Sequence, residues 1–564
     1  VNKRLLAIDT ILALFLLAVI VTVALLGTVP PVSRDALTHH LAVPKLYLSH
    51  GGIYEIPSIA FSYYPMNLDL LYWLSLYLGS DIAPKYIHFA FALFTAVLIF
   101  RYLKDELGIT YGLLGALFFL TIPIIIKLSV TVYVDLGLIF FSWASLYYFL
   151  KWCDRQFRLR YLIFAALFCG LALGTKYNGI VLLLIMAFLV AIAYSIKQNQ
   201  NIPREDYHQL YRNSVKGMQW TGVFISIALI VFSPWMIRNI IWKQNPVYPL
   251  FDKVFNPPEP NTQLTDQKEK ESPKNAFWTR RYVYKESFGE TLSIPVRVFF
   301  QGRDNNPKFF DGKLNPCLLI LPLIAFIHVK DRRLIALRFH RAILAIFTVI
   351  FILFVLFQVD FRIRYMSPTI PALVVLAIFG IKNLVSWVLM PSKIVRMVGT
   401  GGVLLLIGFT FLYDADYLYG QFNKIRPFDY ILGKVDRAAY ITRFRPEYPA
   451  IAYANQTLAS DAKILALYLG NRIYYSDIQM DCNYAPFFNV LGKCESEREL
   501  FDFLLKQGIT HLLIRFDLLQ HRIDTILNAT EKEVFKKFFQ KYLVEKFVKD
   551  GHGLFELAKK SVDD

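Results

Sequence analysis

Only five cysteines occur in 564 residues, too few for a disulfide framework across a chain of this length. CxxC zinc spacing is absent, and so are a P-loop, a dinucleotide-binding glycine fingerprint opening a helix, and a GxSxG elbow. With them go the usual sequence signatures of nucleotide-dependent enzymes, zinc modules and α/β-hydrolases. No internal repeat or low-complexity segment appears. Acids are scarce, with 43 Asp and Glu against 61 Lys and Arg, a net charge of +18. In a soluble chain that balance would point to nucleic acid. Here the basic residues cluster in short connections between apolar runs, which excludes a nucleic-acid partner.

What is present is apolar. The chain is 55% hydrophobic and 16% aromatic, with a mean hydropathy of +0.42. A helix needs roughly 20 apolar residues to cross a bilayer. Eleven runs meet or approach that length, near 6–28, 84–103, 110–127, 134–150, 159–175, 178–196, 217–237, 316–329, 341–358, 367–390 and 397–413. The expected fold is therefore a polytopic α-helical membrane protein. The first run is too long for a signal h-region and has no small-residue cleavage site, so it reads as a retained span. From about 414 the composition turns mixed. Residues 437–458 read as helix, 461–477 as strand, turn and strand, 499–516 as an amphipathic helix feeding a buried strand, and 551–559 as part of a hairpin. These make a small α/β domain, giving an expected division at 1–413 and 414–564. Cys482 and Cys494 fall in this tail, where pairing and two free thiols stand as equal readings.

Basic residues set the orientation. Lys3 and Arg4, Arg101 and Lys104, the 151–160 and 197–216 connections, Lys330 to Arg341, and Lys393 with Arg396 fall in alternate loops. The N-terminus is thus expected in the cytoplasm and the C-terminal domain outside. The valine at position 1 fits an alternative start in a bacterial or archaeal plasma membrane. Three long stretches share the outer side: about 29–83, 238–315 and everything after 414.

The first outer stretch, about Val32 to Tyr64, carries Asp35, His39, His40 and Lys45 before a run of aromatics. Asp35 and His39 are four apart and would share one helix face. A carboxylate beside a low-dielectric surface can serve as a general base; Asp35 suits that role, and also suits a helix N-cap. Asp135 has the same two readings at the start of its run, site acid or cap. Two acids and adjacent histidines allow a divalent cation, Mg²⁺ or Mn²⁺, although the spacing is not specific. Lys176, Arg238 and Arg364 are cations on the side where short loops otherwise lack them. Their chemistry suits phosphate, and the alternative is snorkelling to headgroups. Ionisable groups near spans are functional candidates by default, and Asp35, Asp135, Lys176, Arg238 and Arg364 fall at one membrane face. Lys85 and His88 read as interface anchors. Tyr63, Tyr64, Tyr72 and Trp73 can stack on sugars or form an interfacial belt. Asp304 and Asp311 either line the site or are solvated loop acids.

Five stretches together resemble the GT-C membrane glycosyltransferases: SRDALTHHLAVPKLY, TVYVDLGLIFF, GLALGTKYNG, PWMIRNIIWKQNPVYP and RYMSPTIPAL. Within that class the chain is most similar to the aminoarabinose transferase and protein O-mannosyltransferase branch. The resemblance implies a polyprenyl-phosphate sugar donor, an inverting transfer, Asp35 as base, Asp135 as a second-loop acid, and Lys176, Arg238 and Arg364 as binders of the donor phosphate. The acceptor would be an extracytoplasmic lipid, glycan or protein. The chain departs from the aminoarabinose transferases at the end of loop one, where Tyr63-Tyr64-Pro65 replaces their acid-Lys-Pro. Rival readings are an O-antigen ligase or polymerase with a diphosphate-linked donor, and a lipid or solute transporter. A transporter calls for midplane charges and repeated halves, neither of which the sequence shows.

Overall fold

The computed structural model describes residues 3–200, 202–203, 205–257, 276–329, 331–356, 358, 361–388 and 393–558. Two of the orienting cations, Arg204 and Lys330, lie outside them. The chain divides into two compact units, one of Val1–Gly27, Tyr63–Leu71 and Pro84–Arg426, the other of Thr28–Ser62, Tyr72–Ala83 and Pro427–Asp564. This differs from the expected division in two ways: loop one groups with the tail, and the boundary falls at 426 rather than 413.

The first unit is helical. Among the described residues, eight helices are long and apolar enough to cross a membrane, from Leu6–Gly27 to Arg396–Ile431. Three of the eleven expected spans are shorter or broken. The run at 110–127 is two helices, Ile109–Thr121 and Pro123–Ser129, bent by 67°. Pro123 has no N–H to give the preceding turn and pushes Ile122 into an extended conformation (ψ 129°), which ends the first helix. The run at 159–175 is the 15-residue helix Leu159–Leu173. The run at 316–329 shrinks to Cys317–Ile324, with Pro322 inside it.

Packing between spans cannot rest on the hydrophobic effect, because lipid tails are as apolar as leucine; small residues allow close approach instead. Helix Leu159–Leu173 buries Ala165, Ala166, Cys169, Gly170 and Ala172. A Cβ at Gly170 would lie 2.6 Å from the Ala228 carbonyl oxygen of the Tyr207–Lys243 helix. Gly380 is tighter, since its Cβ would lie 2.0 Å from the Leu321 carbonyl. That glycine lets the short Cys317–Ile324 helix press against Ile370–Val388 backbone to backbone. The helix Lys393–Ile425 runs on past its apolar stretch because its polar residues have partners within the unit. Asp414 accepts from Thr121 Oγ1 and Asn315 Nδ2, both at 2.9 Å.

The second unit carries a five-stranded sheet, β1 (Lys463–Leu467), β2 (Gln479–Asp481), β3 (His511–Arg515), β4 (Leu543–Lys549) and β5 (His552–Leu557), in the order β2-β1-β3-β5-β4. β1 is parallel to β2 and β3, while β5 is antiparallel to β3 and β4. Side chains alternate faces along a strand. Leu465, Leu467, Leu512, Ile514 and Phe555 enter one cluster with Phe487 and Phe538, whereas Ile464, Ala466, Leu513 and Leu554 enter the other with Ala450 and Ile451. The central strands are therefore apolar on both faces. The expected hairpin at the C-terminal end is β4–β5. The expected single helix over 437–458 is two, Arg437–Phe444 and Tyr448–Thr457, separated by a break that contains Pro446. The strand expected near 472–477 is absent. Cys482 and Cys494 are free thiols that pack against different clusters.

Loop one is tied into this unit by the tail. Lys45 Nζ donates to the carbonyls of Tyr474 (3.0 Å) and Ser476 (2.8 Å) and pairs with Asp477 at 2.7 Å. The Tyr474 N–H donates to the Leu37 carbonyl at 3.1 Å, and the Tyr475 hydroxyl donates to the Pro31 carbonyl at 2.7 Å. Arg445 donates to the Val32 carbonyl.

Candidate active site

In the first unit, Asp135 opens the helix Asp135–Asp154 and Lys176 lies in the turn before Gly179–Asn199. Lys176 Nζ donates to Asp135 Oδ1 at 2.7 Å. The aspartate side chain is only 1% exposed, so it is not a cap facing water; the lysine is 20% exposed. Helix Asp135–Asp154 is itself pegged by His88. The Leu136 N–H donates to His88 Nε2 at 2.9 Å, which leaves the ring proton on Nδ1, facing the Leu128 and Thr131 carbonyls at 3.0 Å. His88 is fully buried and Lys85 nearly so. Neither is the interface anchor the sequence led us to expect.

Tyr365 gathers the rest. Lys176 Nζ lies 5.3 Å from its ring centroid and the Arg364 guanidinium 5.5 Å, within the range of cation–π attraction. Arg364 also lies 5.1 Å from the Tyr133 ring and acts electrostatically on Asp135. Tyr64 stands against Tyr177, ring centroids 5.1 Å apart. Burial, then Tyr365, raises the Tyr64 phenol above its ordinary value. Asp135, Lys176, Arg364 and Tyr64 thus converge on one locus.

Arg238 holds that locus together from behind. Its Nη2 donates to the carbonyls of Tyr63 (2.6 Å) and Tyr64 (3.0 Å), and its guanidinium packs 4.7 Å from Trp235 and 4.9 Å from Trp242. Asn239 Nδ2 reaches the Tyr63 carbonyl at 3.0 Å and the Tyr177 hydroxyl at 3.1 Å. Asn67 anchors the Lys176 turn, its N–H donating to the Gly174 carbonyl at 2.9 Å while Oδ1 accepts from Trp235 Nε1 at 2.8 Å. Sequence reading missed Tyr133, Tyr177, Asn239 and Tyr365. Tyr177 and Tyr365 each directly follow a singled-out cation, Lys176 and Arg364, and that adjacency was the available signal.

Asp304 sits apart from these groups. It accepts from the Tyr417 hydroxyl at 2.6 Å and pairs with Lys127 at 3.0 Å. Lys127 also pairs with Asp311 at 3.1 Å, and Asp311 with Arg362 at 3.3 Å. These acids are salt-bridged rather than solvated.

Asp35, His39 and His40 belong to the second unit. Asp35 immediately precedes the π-turn Ala36–His40, closed by the Leu41 N–H to the Ala36 carbonyl at 2.9 Å. Its carboxylate makes no capping bond to that turn, which removes the cap reading. π-Turns are uncommon and concentrate at functional sites. His39 stacks on Phe61 (4.4 Å, 19°), its Nδ1 is 2.8 Å from Thr38 Oγ1, and its ring adjoins His40 at 4.0 Å. Among the described residues no group of three or more His, Cys, Asp or Glu side chains is placed to hold a metal ion.

Three solved structures of two proteins share this architecture. ArnT from Cupriavidus metallidurans in the apo state matches with a TM-score of 0.56 at 13% identity, over 97% of this chain and 99% of that one. The same protein bound to undecaprenyl phosphate matches with a TM-score of 0.54, also at 13% identity and over the same shares of the two chains. The Archaeoglobus fulgidus oligosaccharyltransferase matches with a TM-score of 0.52 at 11% identity, over 97% of this chain and 75% of that one. The fold is that of the GT-C class. A family model described as dolichyl-phosphate-mannose-protein mannosyltransferase matches residues 65–203. Fold and family match together indicate a membrane glycosyltransferase. The matched segment contains Asp135 and Lys176 and ends before Arg238. No curated protein matches the sequence.

Proposed function

We propose that the chain transfers a sugar from a polyprenyl-phosphate donor to an extracytoplasmic acceptor, a lipid, glycan or protein, with inversion at the anomeric carbon. The observation that carries this reading is the pairing of two cations, Lys176 and Arg364, over Tyr365 beside the buried Asp135. Cations fixed over an aromatic floor suit a phosphate with a sugar attached. Two GT-C relatives have been solved with such lipids, ArnT with undecaprenyl phosphate and the archaeal oligosaccharyltransferase with dolichol-phosphate and an inhibitory peptide.

In the reaction Asp35 takes the proton from an acceptor hydroxyl or amine. The freed lone pair attacks the anomeric carbon opposite the phosphate, and the bond from that carbon to the phosphate oxygen breaks. Lys176 and Arg364 stabilise the charge growing on the departing polyprenyl phosphate, the kind of preorganised electrostatic contribution that dominates many enzymes. Asp135 sets the position of Lys176, and Arg238 sets the backbone at Tyr64. The basic loops support a cytoplasmic N-terminus with the C-terminal domain outside.

The test uses purified protein in nanodiscs with a panel of polyprenyl-phosphate sugars, following free polyprenyl phosphate by mass spectrometry. Wild type should release it and Asp35→Asn should not. Release only from diphosphate-linked donors would replace this reading with the ligase-type one, and an active Asp35→Asn variant would remove the base.

A further inference from the structure

The segment at 290–313, which in sequence lies between the Tyr207–Lys243 and Arg338–Leu356 helices, builds together with Tyr413 a cavity of about 760 Å³ that shares no lining residue with the Lys176 locus. Its wall includes Arg297, Arg303, Lys308 and Lys313 against the acids Glu290 and Asp304. The acids are already engaged. Glu290 caps its helix through the Ser287 N–H at 2.7 Å, and Asp304 is held by Tyr417 and Lys127. Arg297 is engaged too, with Glu286 at 3.1 Å and Gln301 at 2.8 Å. Arg303, Lys308 and Lys313 differ, since none of the three is ion-paired among the described residues. Arg303 is steadied by Phe309 (4.7 Å) and Lys313 by Tyr413 (4.4 Å), ring contacts that leave their donors available.

Beside these cations runs an apolar row. Phe288, Leu292, Val296 and Phe300 recur every four residues along the helices Phe288–Leu292 and Ile294–Phe300, and each is half or more exposed. Arg297 and Phe300 also line the cavity, so apolar row and cavity are continuous. Exposed aromatic and aliphatic side chains next to unpaired cations are the two halves of an anionic-lipid site, one for acyl chains and one for the headgroup.

We propose that this cavity binds the phosphate of an anionic membrane glycerophospholipid, with Arg303, Lys308 and Lys313 on the headgroup and the Phe288-to-Phe300 row along the chains. This site is independent of the sugar donor and stands whether or not the donor reading holds.

Native mass spectrometry of the full-length protein, stripped of lipid in detergent, tests it with three probes: phosphatidylglycerol, phosphatidylcholine and water-soluble glycerophosphate. Phosphatidylglycerol should be retained over phosphatidylcholine. The R303Q/K308Q/K313Q variant should weaken that retention by about 10-fold or more, as loss of three cations near a headgroup predicts. Leu292→Ser with Phe300→Ser should weaken phosphatidylglycerol binding and leave glycerophosphate unchanged. The single variant Lys313→Gln, intermediate in effect, guards against misfolding of the triple one, with elution on size exclusion as the fold check. Equal retention of phosphatidylglycerol by wild type and the triple variant overturns the proposal. Glycerophosphate bound as tightly as the lipid overturns it in favour of a soluble phosphate ligand.

Discussion

Lys176 Nζ lies 2.7 Å from Asp135 Oδ1, and the carboxylate it meets is 1% exposed. A buried pair of this kind is costly to break from one side, because the survivor stays charged and desolvated. Lys176→Met should therefore destabilise the protein by about 3–5 kcal/mol, and the double variant Asp135→Asn/Lys176→Met should recover most of that. Activity separates strut from ligand. If Lys176 touches the donor phosphate, the double variant stays at least about 10²-fold slower, as loss of one transition-state donor typically is. Thermal unfolding beside release of polyprenyl phosphate measures both, and recovery of both in the double variant would leave Lys176 a strut alone.

Arg238 presents one nitrogen to two consecutive carbonyls, those of Tyr63 and Tyr64, between two tryptophans. Lysine carries no planar fork and stacks less well, so Arg238→Lys is not conservative here. The expected cost is roughly 1–3 kcal/mol, that of buried carbonyls losing a charged donor. A positioning role predicts that the thermal midpoint falls while donor affinity changes little. A direct phosphate contact predicts the reverse.

Much of this was legible because membrane proteins write their constraints locally. Apolar run length located the helices, and Asp135, Lys176 and Arg364, singled out together although they stand far apart in sequence, gather around Tyr365. What failed was non-local. Tyr474 and Tyr475 read as strand residues by propensity, yet they are spent on Leu37 and Pro31 more than four hundred residues away. The same contacts move loop one into the tail's unit, which no pattern within loop one announces. The boundary at 413 failed similarly, because Asp414 looks like the end of a span until Thr121 and Asn315 are seen to satisfy it. Asp35 was singled out by its position alone. The π-turn after it was not, since no side-chain pattern distinguishes one helical turn with wider hydrogen bonding from an ordinary one.

Asp311 supplies a pH dependence. Burial raises its carboxyl pKa, but Lys127, the Asn305 N–H and Arg362 outweigh burial and hold it below the ordinary carboxylate range. A depressed folded pKa contributes stability that is present above the unfolded value, about 4, and lost as pH falls through the folded value. Wild type should accordingly lose thermal stability on acidification below about pH 4. Asp311→Asn should start less stable and show a flatter acid limb. Parallel acid limbs for the two proteins would remove Asp311 from the account.

Glu286 gives the sharpest contrast between charge and architecture. Its side chain is 1% exposed and lies between Arg280 (3.2 Å) and Arg297 (3.1 Å). Arg280 also donates to the Lys308 carbonyl at 2.7 Å, so the glutamate indirectly fixes a cation of the proposed lipid site. On charge alone, Glu286→Ala removes a negative group near the cavity and should tighten anion binding. On architecture, it leaves two buried guanidiniums facing each other, costs about 3–5 kcal/mol, and releases the backbone that presents Lys308. We expect architecture to win, because a buried charge left unpaired outweighs a change in field at a partly solvated headgroup. Phosphatidylglycerol retention should fall, and limited proteolysis should cut within 276–313 faster than in wild type. Tighter retention with unchanged proteolysis would show that Glu286 acts on the cavity only through its charge.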